Sequence, residues 1–198
     1  GLIRYILLTD KSLMTPDTEE TLLRSLALTL TENPGATLQE MAKAAGVSRA
    51  TLYRFAPTRE QLMDILKQHM LKVMTRIMDT AGLETLPPMQ ALRQLITNYI
   101  AEKEFCAFMM TQFDPYIKKN TESPIPGECA VHEERLDRFF QQGQNAGVFR
   151  ANVPNRWLTD MFFCFIFGLC ESEYRGRIAR ADMETLFEDM FLYGALAR

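Results

Sequence analysis

Two short helices joined by a three-residue turn constrain this fold more than any other feature of the sequence. The first is predicted to begin after Thr37, because Thr37 and Glu40 have the spacing of a capping box. It should end at Gly46, where a left-handed backbone favours glycine, and Ser48 then caps the second helix. With only Gly46-Val47-Ser48 between them, the two helices cannot lie antiparallel side by side. They must cross steeply, which predicts a helix-turn-helix.

The remaining sequence also indicates helices. Thr15-Pro16 is a favourable helix start, and a second capping box at Thr58–Gln61 opens a long helix predicted to end near Gly82. No stretch alternates apolar and polar residues between hairpin turns. The predicted fold class is therefore all-α. The predicted turns lie at Asn33-Pro34-Gly35, Gly46, Pro57, Pro87-Pro88, Pro124 to Gly127, Gly147 and Pro154.

Charge is distributed unevenly along a chain whose net charge is -3. Residues 37–76 contain seven Lys or Arg against three Asp or Glu, whereas the sequence after Arg76 contains twelve against seventeen. This asymmetry is typical of a short phosphate-facing patch attached to an acidic body.

Several classes of site have no support in the sequence. Cys106, Cys129, Cys164 and Cys170 are scattered, without the spacing of a disulfide framework or a zinc site. They are expected to be small buried residues in a reducing cytoplasm, and no metal or cofactor is expected. The longest apolar run, residues 161–170, is too short to cross a bilayer, so no membrane association is expected.

The segment from Thr37 to Leu62, TLQEMAKAAGVSRATLYRFAPTREQL, resembles the signature of the TetR family of transcriptional regulators. The shared features are a short helix, the AGVS turn, a recognition helix containing TLY, and a Pro-Thr-Arg-Glu entry to the fourth helix. The resemblance implies a helix-turn-helix DNA-binding domain over residues 15–60 and a ligand-binding and dimerisation domain over 61–198. Residues 1–14 are interpreted as an appended or disordered leader.

The resemblance also implies roles for individual residues on double-stranded operator DNA. Exposed arginines can read guanine, small methyl-bearing side chains can contact thymine, and helix amino ends suit phosphates. Phe55 and Ala56 depart from the family pattern, in which a His or Tyr often precedes Phe. The acidic segment before the motif predicts modest non-specific affinity. The residues expected at the major groove are Ser48, Arg49, Ala50, Thr51, Tyr53 and Arg54, with Thr37, Thr58 and Arg59 near phosphates.

The family resemblance places a small-molecule inducer in the larger domain. The sequence agrees with this, because its many Phe and Met residues predict an interior that accepts apolar or planar compounds. His132 and acids that include Glu102 and Glu104 would place polar groups beside such a cavity. The candidate ligand residues are Phe105, Phe108, Met109, Phe113, Tyr116, Phe139, Phe163 and Glu171.

The last two helices are expected to form a homodimer interface, as the family resemblance implies. The segment 157–170 is apolar on nearly every side, and a second apolar helix follows Asp182, which is interpreted as its cap. The candidate interface residues are Phe162, Ile166, Leu169, Phe187, Met190 and Phe191.

Together these observations predict a ligand-responsive DNA-binding regulator, a repressor released from its operator by a small apolar or aromatic molecule. One alternative is an enzyme or carrier that holds a substrate in a helical bundle, although the sequence has two histidines and no recognisable nucleophile or phosphate loop. Another is a protein-binding module whose helix-turn-helix no longer contacts DNA.

Overall fold

The computed structural model describes residues 15–113 and 127–193, and the elements in these ranges are helical. The predicted all-α fold is confirmed, and the leader assigned to residues 1–14 lies outside the described residues. The helices are α1 Pro16–Glu32, α2 Leu38–Ala44, α3 Arg49–Phe55, α4 Arg59–Thr80, α5 Pro88–Ala101, α6 Lys103–Phe113, α7 Gly127–Asn145, α8 Asn155–Tyr174 and α9 Met183–Phe187, which continues as a π-helical turn over Glu188–Leu192.

The predicted helix starts are confirmed by the local hydrogen bonds. The Thr37 hydroxyl accepts from the Glu40 N–H while the Glu40 carboxylate accepts from the Thr37 N–H, and Thr58 forms the same box with Gln61. Gly46 has φ of 68°, the left-handed conformation that lets α2 end and α3 begin within three residues. Each cap contributes about 1 kcal/mol to helix stability. These local signals therefore set the position and orientation of α3.

The first three helices share a small apolar core with the start of α4. Leu26 of α1, Met41 of α2, Leu52 of α3 and Leu62 of α4 are all fully buried. Because each of these short helices buries only one face, the opposite face of α3 remains exposed to solvent.

An aromatic cluster forms the core of the larger part of the molecule. Phe162 of α8 is fully buried, with its ring centroid 5.7 Å from Tyr99 of α5 and 5.4 Å from Phe187 of α9. Phe140 of α7 lies 6.4 Å from Phe162. Edge-on and tilted pairs of this kind add favourable energy to the burial of the rings themselves.

The start of α9 differs from the prediction. Asp182 was expected to cap α9, but its side chain makes no capping hydrogen bond, because a 3-10 turn over Arg180–Asp182 leads directly into the helix. Within the described ranges, no helix combines the length and apolar character that a bilayer crossing would require.

Candidate DNA-binding and ligand sites

The outer face of α3 carries most of the residues predicted to read DNA. Leu52 and Phe55 are buried, whereas Ser48, Arg49, Ala50 and Arg54 are exposed together with Tyr53, whose side chain is 37% exposed. The exposed residues lie on one side of a two-turn helix whose Ser48 hydroxyl accepts from the Thr51 N–H at 3.0 Å. This face of α3 therefore presents two arginines, a methyl group and a phenol in an arrangement that fits a DNA groove.

The orientation predicted for Thr51 is wrong. Its side chain is 6% exposed, and its hydroxyl lies 2.8 Å from the Ser48 hydroxyl. Thr51 therefore supports the turn between α2 and α3 from inside, next to the buried Leu52. A direct contact between its methyl group and a thymine does not fit this position.

Arg49 and Tyr53 form a preorganised pair on the exposed face. The Arg49 guanidinium carbon lies 5.0 Å from the centre of the Tyr53 ring, and Nη2 donates to the phenol oxygen at 3.4 Å. Such a cation–π contact limits the conformations of a long side chain. Less conformational entropy is then lost when the pair meets a ligand.

The residues expected near phosphates already have partners within the protein. The Thr37 hydroxyl lies 2.8 Å from the Glu40 carboxylate, and hydrogen bonds from the Thr37 backbone and hydroxyl lower the pKa of Glu40. Arg59 donates to the Pro34 carbonyl at 2.6 Å, which ties the start of α4 to the turn after α1. Arg59 thus has a structural contact that sequence reasoning did not predict.

Arg24 of α1 is the centre of a charged cluster between the helix-turn-helix and the larger part of the molecule. Its guanidinium donates to Glu102 at 2.7 Å, to Glu104 at 2.8 Å and to Glu20 at 3.0 Å. Arg76 of α4 donates to the second oxygen of Glu102 at 2.8 Å. Burial disfavours the charge on Arg24, but the hydrogen bonds that Arg24 donates to Glu102 and Glu104, together with the negative charges of these two residues, outweigh it, so the pKa of Arg24 is raised. These five residues are called the Arg24 junction below.

Two neighbouring contacts extend from the Arg24 junction. Lys103 at the start of α6 forms an ion pair with Glu173 near the end of α8 at 2.5 Å. His69 of α4 has Nε2 2.8 Å from a Glu20 oxygen, without hydrogen-bond geometry, and its ring packs against Phe105 with centroids 4.9 Å apart. Burial lowers the pKa of His69, although the charge of Glu20 opposes this shift. Helices α1, α4, α6 and α8 thus meet in one region.

A groove of about 460 Å³ lies between α6 and α8. This volume is within the range of small-molecule sites, roughly 300 to 1,000 Å³. The α8 wall contains two aromatic rings and has a carboxylate toward each end. The lining residues are Ala107, Met110, Thr111, Asp160, Phe163, Cys164, Phe167, Gly168, Cys170 and Glu171.

Comparisons with known proteins agree with this architecture. The chain is 36% identical over 178 residues to the HTH-type transcriptional regulator NfxB of Pseudomonas aeruginosa, covering 89% of this chain and 94% of the relative. It is 30% identical over 149 residues to the HTH-type transcriptional repressor LfrR of Mycolicibacterium smegmatis, covering 75% of each chain. The solved structure of LfrR, described as TetR-like, superimposes with a TM-score of 0.63 over 88% of this chain and 91% of LfrR, at 20% identity. The chain belongs to the TetR family.

Other comparisons bear on the fold and on the enzyme alternative. The ketosteroid regulator KstR2 of Mycobacterium tuberculosis has the same fold, with a TM-score of 0.69 at 16% identity over 93% of this chain and 98% of KstR2. No family model matches the chain. This TetR-family member is a DNA-binding transcriptional regulator. The alternative of an enzyme is not supported, because the curated relatives are named as regulators.

Only some of the predicted ligand residues of this TetR-family regulator lie at the groove. Phe163 and Glu171 line it, but the buried rings of Phe105, Phe108 and Phe139 belong to the apolar core and are not part of its lining. Met109 is half-buried against that core, Phe113 ends α6, and Tyr116 lies outside the described residues. Glu102 and Glu104 bind Arg24 instead of facing a cavity. Asp160 and Phe167 were missed, although both lie on the side of α8 that carries Phe163.

The predicted dimer residues are mostly buried within the protomer. Phe162, Ile166 and Phe187 face the protomer's own core and have almost no surface left for a partner, so the prediction is wrong for these three. Phe191 is also largely buried but lines an apolar groove beside Met190, and its assignment stays a prediction. Leu169 is half-buried, whereas Met190 is 65% exposed. The same two helices carry an exposed apolar surface of which Met190 was the one residue predicted. It contains Trp157, Met161, Phe165, Leu186, Met190 and Tyr193, and is called the α8–α9 surface below.

Proposed function

We propose that this regulator is a repressor that binds its operator as a homodimer and releases it when a small molecule binds in the larger domain. The division of the chain at residues 60 and 61 into two functional parts belongs to this proposal. The observation that carries it is the exposed face of α3, where Arg49 and Tyr53 are held together and point away from the core.

DNA recognition is assigned to α3. In helix-turn-helix dimers the two recognition helices lie about 34–36 Å apart, so that they enter successive major grooves on one side of the duplex. Arg49 and Arg54 are placed to read base edges, and Ser48 and Tyr53 to contact phosphates or the groove rim. Thr37, Thr58 and Arg59 would reach phosphates only in competition with their present partners.

Dimerisation is assigned to the α8–α9 surface. Trp157 is 51% exposed, and Met190 protrudes further still. Large exposed apolar side chains on neighbouring helices mark interaction surfaces in proteins. In a two-fold dimer the same surface of each protomer meets its copy, which would bury both sets.

Ligand control is assigned to the larger domain on two grounds. The groove between α6 and α8 has the volume of a small-molecule site, and Lys103 and Glu173 connect the two helices beside the Arg24 junction. The structure of the relative LfrR was solved in complex with proflavine, so a similar protein binds a small molecule. A ligand that prefers one arrangement of α6 and α8 shifts the balance between two states of the dimer.

The proposal is tested by mobility shift on the DNA upstream of the protein's own gene. The Arg49→Ala, Tyr53→Ala double variant should lose operator binding by about 100-fold or more, since each base contact contributes about 1–3 kcal/mol and a dimer uses each contact twice. Arg138→Ala is the matched control, because Arg138 is exposed on α7 away from α3. Unchanged binding by the double variant, or an equal loss in the control, would contradict the assignment of α3.

A further inference from the structure

We propose that the groove between α6 and α8 binds a planar aromatic cation. This inference rests on the proposed function, in which a small molecule controls operator binding, and it specifies the chemical class of that molecule.

The aromatic wall of the groove is suited to a flat ligand. Phe163 and Phe167 lie one turn apart on α8 with centroids 5.9 Å apart and planes inclined by only 15°. Both side chains are half-buried, so part of each ring remains accessible from the groove. Two nearly parallel rings provide aromatic surface against which a planar molecule can stack.

The orientation of Phe163 is fixed from behind. Tyr99 meets its ring edge-on at 6.2 Å and 86°, and Phe162 does so at 5.8 Å and 77°. Both of these neighbours are fully buried in the aromatic core. A ligand would therefore meet a wall that is already ordered, which lowers the entropy lost on binding.

The charge of the groove favours a cation. Asp160 and Glu171 lie on the same side of α8, before Phe163 and after Phe167, and the lining contains no Lys or Arg. Glu171 is paired with Arg175 at 2.6 Å, whereas no basic group in the described part of the chain lies within ion-pair distance of Asp160. Burial raises the pKa of the nearby Glu133, and the charges of Asp160 and Asp137 raise it further. Negative charge thus accumulates around this end of the groove.

Other ligand classes fit less well. An anion would be repelled by both carboxylates, and a neutral apolar molecule would gain from the rings but would remove water from Asp160 without compensation. A planar cation combines stacking on the phenyl rings, cation–π attraction and an ion pair with Asp160.

The test compares two dyes that share a xanthene ring system, using fluorescence polarisation with the full chain. Rhodamine 6G carries a positive charge, and fluorescein is anionic at neutral pH. Rhodamine 6G is expected to bind at least tenfold more tightly than fluorescein. Equal binding of the two dyes, or tighter binding of fluorescein, would overturn the inference.

Variants locate the binding site. Asp160→Asn should weaken rhodamine 6G binding about two- to fivefold, the loss expected for an exposed ion pair. Glu134→Gln, which removes the same charge from the exposed face of α7, should leave binding unchanged. Ala107→Leu should also weaken binding because it fills the groove from the α6 side. An Asp160→Asn protein that binds the dye as well as Glu134→Gln does would refute the site even if Ala107→Leu fails to fold.

A separate measurement distinguishes this inference from the proposed function. If rhodamine 6G binds as described but leaves the operator complex intact in the mobility-shift assay, the chemistry of the groove is supported and ligand-controlled release is contradicted. If operator binding depends on α3 but no preference for the cationic dye is found, the proposed function of α3 stands and the groove assignment fails.

Discussion

Replacing Arg24 with Met tests whether the Arg24 junction holds α1 of the helix-turn-helix region to α6 in the larger part of the molecule. Methionine keeps much of the aliphatic length of arginine but removes its hydrogen bonds to Glu102 and Glu104. Glu102 keeps its bond to Arg76, so the main loss falls on Glu104, whose side chain is 19% exposed.

The expected loss of folding stability follows from how far these ion-paired side chains are buried. Leaving a buried carboxylate without its partner costs about 1–3 kcal/mol or more, and the solvent exposure of the Arg24 side chain, 30%, places the expected loss near the lower end. We expect Arg24→Met to lower the free energy of unfolding by about 1–2 kcal/mol. For a chain of this size, the melting temperature should fall by about 2–8 °C.

The assay is thermal unfolding monitored by circular dichroism on a double-mutant cycle. Glu104→Gln in the Arg24→Met background removes the unpaired charge, so the double variant should be more stable than Arg24→Met alone. A coupling free energy of about 1 kcal/mol between the two positions is expected. Strictly additive effects, or an Arg24→Met protein as stable as the parent, would refute the view that these charges hold α1 to α6.

Three further predictions concern stability and assembly. Gly143→Ala should destabilise the protein by about 1–3 kcal/mol despite the better helix propensity of alanine, because the new Cβ would lie 2.1 Å from a Phe149 ring carbon. Gly168→Ala is the matched control: its Cβ meets no atom within 4 Å and should stabilise α8 by up to about 1 kcal/mol, and urea unfolding of both variants measures the two effects. Burial lowers the pKa of His69 below its ordinary 6.5, so the unfolded chain binds a proton at His69 more readily than the folded protein does, and stability should fall as the pH drops from 6.5 toward the folded-state pKa. Unfolding curves at pH 7.5 and 5.5 measure this fall, which His69→Gln should reduce. Met190→Arg should convert a dimer to a monomer in light scattering with little change in helix content, and a dimer that persists would exclude the α8–α9 surface as the interface.

The sequence predicted the features that depend on neighbouring residues. The caps at Thr15, Thr37, Ser48 and Thr58 and the Gly46 turn are decided within four residues, and the structure has them where the sequence placed them, whereas the predicted Asp182 cap does not form. The exposed face of α3 was also predicted, apart from Thr51. In a helix of seven residues the boundary between inner and outer faces is poorly defined by periodicity, and the side-chain contact between Thr51 and Ser48 turned this residue inward.

Features that depend on distant residues could not be predicted in the same way. Arg24 meets Glu102 and Glu104 across 78 and 80 residues, and no local pattern marks such a partnership. The apolar character of α8 and α9 predicted burial correctly, but it did not show which residues face the protomer's own core. Phe162 and Met190 were both assigned to the interface, and packing by α5 and α7 buries the first while the second protrudes.

The Arg24 junction is held together by ion pairs, and this affects how easily the protein can change between a DNA-binding and a DNA-releasing state. Partly exposed ion pairs contribute only about 0–1 kcal/mol each, since water replaces much of what is lost when they separate. An apolar contact of similar size would cost more free energy to open and would hold α1 and α6 in one arrangement. Because Lys103 binds Glu173 on α8 while the flanking Glu102 and Glu104 bind Arg24 on α1, a ligand that moves α6 relative to α8 must act on both sets of pairs. Under the proposed function, a differential binding energy of a few kcal/mol, within the reach of a small ligand, would then be enough to shift the position of α1 and, through α2 packed between them, that of α3.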